Sequence, residues 1–176
     1  MVVLRMKKAL FGTDKDVMFI AAYLPPYDSN YWKVTQHGCG VEITEKYVMD
    51  LQQVTDDFSL LLCGDLNART ASVNYNQVKD DCEDVLAKVC DCFARKSQDN
   101  HTNVFGQQLI ELCNMCGCLI LNGLSEHGFD DSCTFVSYFG SSLVDYFLLS
   151  CDMLSSVRIT SLKIKNLIES ITFSLS

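Results

Sequence analysis

Several apolar runs of strand length are each stopped by residues that end or interrupt a strand, and this punctuation constrains the fold more than any other feature. VMFIAAY (17–23) is followed after Leu24 by Pro25-Pro26, which cannot continue a ladder. The run from Phe58 to Cys63 closes on Gly64-Asp65-Leu66-Asn67. CLILNG (118–123) ends in a turn pair, and LVDYFLL carries Asp145 within an otherwise apolar run. Runs this short, bounded by turn residues, suit buried strands rather than helices.

The remaining segments supply partners for such strands. Val2 to Met6 precedes Gly12 and a charged stretch, so it suits a strand joined by a hairpin-like turn to Val17–Tyr23. PPYDSNYW reads as a surface loop. From about Val41 to Asp56, Ile43, Tyr47, Leu51 and Val54 recur at helical spacing with charged residues between them, which predicts an amphipathic helix. Residues 71–103 are polar and read as a long excursion holding a short helix near Val85 to Phe93. Gln107 to Met115 resumes helical spacing, with Gly117 as its left-handed stop. CTFVSY, VRITSLKI and the tail SITFSLS are further strand candidates. Strand and helix alternate first and strands then follow in series. That order predicts an α/β fold: a partial four-layer sandwich of two mixed, largely antiparallel sheets flanked by helices.

Length and composition bound the function. At 176 residues, 48% hydrophobic and 20% charged, the chain suits a single domain spanning residues 1–176. Its net charge of -8 gives no overall basic footprint, so any nucleic-acid contact must be local. The ten cysteines lie in apolar surroundings and MVVLRMKKALFG lacks a secretory core, so reduced thiols in an intracellular protein, nuclear or cytoplasmic and not secreted, are expected. No apolar run approaches the roughly 20 residues that span a bilayer, so no membrane association is expected.

Chemistry concentrates where strands end. Residues two apart on a strand share a face, so Asp65 and Asn67 of the Gly-Asp-x-Asn motif should project together and could hold a metal, a water or a phosphate. Asp145 interrupts an otherwise apolar strand that would bury it, and a buried carboxylate needs a partner or a metal. Each is equally readable alone as a cap or turn residue. His37, His101 and His127 follow Gln36, Asn100 and Glu126 in polar segments, where a solvated surface histidine is the plain reading.

Taken together, these segments resemble the endonuclease/exonuclease/phosphatase superfamily. CGDLNART is similar to its Gly-Asp-x-Asn-Ala motif, SSLVDYFLLS to its Asp-Tyr strand as in apurinic/apyrimidinic endonucleases, and AAYLPP to the strand bearing its active-site tyrosine. The stretch RKSQDNHTNVFGQQLIELCNMCGCLILNG resembles the endonuclease domains of non-LTR retrotransposons, and the likeness covers about residues 1–150. The resemblance implies a phosphodiesterase acting on DNA with Mg²⁺ or Mn²⁺. Tyr23 would contact the scissile phosphate, and Asp65 would orient or deprotonate the attacking water. Asn67 would bind the phosphate or join Asp65 at the metal, Asp145 would orient a histidine, and Arg69 would join Tyr23 and Asn67 in binding substrate.

Departures from the family pattern temper that expectation. The family's metal-binding glutamate lies on an earlier strand, yet this chain has no Glu before Glu42. The closing Ser-Asp-His would fall on Ser170, Ile171 and Thr172. The expectation is therefore an N-terminally truncated domain, inactive or weakly active, with an exposed edge and marginal stability. Two other readings stand beside it. One is a zinc module drawing on Cys90, Cys92, Cys113, Cys116 and Cys118, although Cys113 and Cys116 continue a helix stripe. The other is a non-catalytic binding or scaffold protein on the same fold. Within the superfamily, a phosphoinositide or sphingomyelin-like phosphodiester is an alternative substrate to DNA.

Overall fold

The computed structural model describes residues 1–34, 50, 58–73, 95–124 and 132–153. Within them the chain forms β1 (Val2–Met6), β2 (Val17–Tyr23), α1 (Asn30–Val34), β3 (Ser59–Asp65), α2 (Val104–Cys116), β4 (Cys118–Ile120), β5 (Phe135–Ser137), β6 (Gly140–Ser142) and β7 (Asp145–Ser150). Five strands make one mixed sheet in the order β1-β2-β3-β7-β4, and β5 and β6 form a separate two-stranded ribbon. Only β2 and β3 run parallel; β1–β2, β3–β7 and β4–β7 are antiparallel. The architecture is α/β, as the punctuated strands predict. Of the two sheets expected, the described residues build the larger one and a short ribbon.

Alternation along the strands sorts their apolar side chains into two layers. Ile20, Ala22, Leu60, Leu62, Tyr146 and Leu148 pack with Phe105, Leu109, Leu112 and Cys113 of α2. Val17, Cys63, Phe147 and Leu149 pack on the other side with Leu119, Leu121, Leu124, Cys151 and Met153. Both faces of β3 and β7 are thus covered, which accounts for their unbroken apolar runs.

Several expectations change in detail. The segment PPYDSNYW is not wholly a loop, because Asn30–Val34 makes a short helix that buries Trp32. The Trp32 indole donates to the Pro26 carbonyl at 2.8 Å, and its ring meets Phe105 edge-on. Helix α2 begins at Val104, three residues before the spacing suggested, because Asn103 caps it by accepting the Gly106 N–H at 2.8 Å. It does stop at Gly117, whose φ of 60° is the left-handed cap. CLILNG is a strand only to Ile120. CTFVSY contributes the exposed ribbon, whose tip carries the solvent-facing rings of Tyr138 and Phe139. The expected helices at 41–56 (apart from Asp50) and 85–93, and the strands VRITSLKI and SITFSLS, lie outside the described residues.

Candidate active site

Three strand ends meet in one row. Tyr23 closes β2 opposite Asp65, the last residue of β3, and Asp65 in turn faces Asp145, the first residue of β7. Strand alternation assigns all three to the side bearing Cys63 and Phe147. Tyr23 is well exposed, while Asp65 and Asp145 are half-buried, so Asp145 opens its strand and is not sealed inside it. Asn122, itself buried, fixes the backbone around Asp145. Its Nδ2 donates to the Asp145 carbonyl and its Oδ1 accepts the Phe147 N–H, both at 2.9 Å, so a side chain extends the ladder after β4 has ended.

Asn67 reaches this row by a different route from the one its spacing suggests. The strand ends at Asp65, and Asn67 adopts a left-handed backbone with φ 46°, so alternation does not carry through to it. Instead a tight turn returns its N–H to Asp65 Oδ1 at 3.0 Å. Its Nδ2 donates to the Leu24 carbonyl at 2.7 Å, while the Leu24 N–H donates to the Asp65 carbonyl at 2.9 Å. Those two bonds clamp the end of β2 to the Gly-Asp-x-Asn turn. Gly64 makes the approach feasible: its φ is 139°, and a methyl group built on it would land on the Ala22 carbonyl oxygen.

Electrostatics distinguish the carboxylates. Burial raises the Asp65 carboxyl above its ordinary value; the Asn67 N–H opposes the rise, and the nearby Asp145 carboxylate adds to it. Cys63, on the same strand, is pushed up to about 11 by burial and is an inert core thiol. Arg69 is tied to Asp99 by a two-pronged pair, Nε to Oδ2 at 2.8 Å and Nη2 to Oδ1 at 2.6 Å. Asp99 also accepts the backbone N–H groups of His101 and Leu143. Burial alone would raise the Asp99 carboxyl, but these donors hold it below its usual range.

Among the described residues no group of three or more His, Cys, Asp or Glu side chains comes together to hold a metal. Of the cysteines considered for a zinc module, Cys113 and Cys118 are buried in the core, and Cys90 and Cys92 lie outside the described residues. The oxygen donors at the row are Asp65, Asp145 and, with its nitrogen committed to Leu24, the carboxamide oxygen of Asn67. Such a set suits Mg²⁺ or Mn²⁺, which accept one or two carboxylates and complete their shell with water. The repulsion between Asp65 and Asp145 is what a bound cation would relieve. His101 is exposed, whereas His37 and His127 lie outside the described residues.

No protein-family model matches the chain, and no curated protein matches it. Among solved structures it is similar to the "Endonuclease domain of TRAS1, a telomere-specific non-LTR retrotransposon" at 18% identity and a TM-score of 0.40. The match takes in 80% of this chain and 47% of that one, so the chain spans about half the length of that structure.

Proposed function

We propose that the chain is a phosphodiester-hydrolysing domain of the retrotransposon-endonuclease kind, acting on DNA with Mg²⁺ or Mn²⁺, and that its residues support slow cleavage at most. The observation that carries this reading is the single row of Tyr23, Asp65 and Asp145, with Asn67 folded back onto Asp65. A phosphodiester resists attack because of its own negative charge, so hydrolysis needs charge neutralisation and a base for water. Asp65 and Asn67 would hold the cation, which supplies that neutralisation when bound. Asp65, half-buried at the end of β3, would also orient the attacking water or take its proton. Tyr23, exposed at the end of β2, supplies a hydroxyl for a phosphate oxygen. Arg69 is a positioned donor whose charge Asp99 offsets.

Cleavage is slow in this reading because Ile171 and Thr172 stand where the resemblance would put an acid and an imidazole, and groups of this kind act as a unit. Plasmid nicking with Mg²⁺ or Mn²⁺ tests the reading, comparing the natural chain with Asp65→Ala and Asp145→Ala. Slow, cation-dependent nicking that disappears in both variants is expected, alongside weak Mn²⁺ binding lost in Asp65→Ala. Nicking that persists in Asp65→Ala, or a folded natural chain that neither nicks nor binds Mn²⁺, overturns it and leaves a binding role for the fold.

A further inference from the structure

Asn103 makes more bonds than its position requires. As the N-cap of α2 it needs only an oxygen for the Gly106 N–H, a duty that Ser, Thr or Asp performs as well. Its Oδ1 also accepts the Arg69 N–H at 2.9 Å, and its own N–H donates to the Arg69 carbonyl at 3.1 Å. Its Nδ2 donates to the Asn67 carbonyl at 2.8 Å. That last bond contributes nothing to the cap, and among the usual capping residues only asparagine supplies an acceptor and an amide donor on one short side chain.

The recipient is one of two described non-glycine residues with a left-handed backbone, the other being Ala71. Asn67 sits in a left-handed backbone conformation that side-chain-bearing residues adopt rarely, and such conformations persist where the surroundings over-determine them. Its N–H is held by Asp65, its carboxamide by Leu24 and its carbonyl by Asn103. Removing the third loosens the ψ angle of Asn67, and with it the left-handed conformation in which Asn67 bonds to Asp65 and Leu24. We infer that Asn103 is a positioning residue: its carboxamide couples the start of α2 to the Asn67 turn and so fixes where the Asp65 carboxylate and the Asn67 oxygen stand. This inference rests on the reading of Asp65 and Asn67 as the cation-holding pair.

Asn103→Asp isolates the coupling in the full chain. It keeps the cap oxygen and replaces the donor to Asn67 with an oxygen that repels that carbonyl. Three quantities are read: the thermal midpoint, the Mn²⁺ dissociation constant by paramagnetic resonance, and hydrogen exchange of the Asn67 amide. The midpoint is expected to fall by no more than one hydrogen bond's worth, less than in Asn103→Ala, because the cap oxygen is kept. Mn²⁺ binding weakens about 10-fold, in the range found when outer partners of metal ligands are lost. The Asn67 amide exchanges about 5-fold faster, the effect of one lost hydrogen bond. Asn103→Ala loses cap and coupling together, so its midpoint falls further. An Asn103→Asp variant whose Asn67 amide stays as protected as in the natural chain overturns the inference. Mn²⁺ binding that survives in Asp65→Ala overturns instead the reading of the pair, and the amide exchange still judges the hold on Asn67.

Discussion

At the residue scale, asparagines and one aspartate do work that backbone ladders do elsewhere. Asn67, Asn103 and Asn122 each bond to main-chain groups of a neighbouring segment, and Asp99 gathers Arg69 with two amides. The acid response follows from three carboxylates, two of them lowered and one raised. The folded-state value of Asp99 is depressed, so its stabilising contribution is complete above the ordinary value of about 4 and is lost as the pH falls through the folded value. Asp16, brought to about 2 first by the Lys8 amide and then by Lys7 and Arg5, loses its contribution in the same direction. Asp65 is raised, so its ionisation costs stability as the pH climbs through its folded value. In thermal melts from pH 2 to 7, Asp99→Asn should flatten the decline below about pH 4, whereas Asp65→Asn should melt higher than the natural chain at pH 7. A steeper acid limb in the first variant, or a lower melt in the second, contradicts these assignments.

At the scale of elements, helix α2 is the buttress of the sheet, and its apolar stripe of Phe105, Leu109, Leu112 and Cys113 is almost wholly covered. Leu109→Ala should destabilise the fold by about 3 kcal/mol, read as a lower urea midpoint with unchanged slope. The stripe was plain in the sequence because helical spacing over ten residues has few competing explanations. So were the strands, since each apolar run ended in residues with their own turn chemistry. Other features were less legible. Trp32 in a polar loop gave no sign that Phe105, far along the chain, would bury it. Asn103 carried a readable signal, an asparagine just before an apolar helical run, and so marked the true start of α2. Asn67 misled because the period-two argument assumes a strand that ends two residues earlier. Tyr23, Asp65 and Asp145 were legible as separate residues through resemblance, but their common row depends on a register between distant strands that no local pattern encodes.

At the scale of the whole molecule, β1 is the first strand of the sheet order, and Val2, Val3 and Leu4 on its two faces are each about half exposed. Exposed apolar side chains on a strand at the end of the sheet order invite self-association. Leu4→Lys should lower light scattering at matched concentration with little change in the melting midpoint; unchanged scattering contradicts a role for this strand in association. The position of β7 has a different consequence. It lies between β3 and β4, yet it is the last of the five strands to be synthesised. On the ribosome, β3 and β4 therefore emerge with the edges they will share with β7 still unmatched, and the sheet closes only when residue 150 has cleared the exit tunnel. Until then the nascent chain presents two sticky borders, and chaperone capture during translation is the natural companion of this topology.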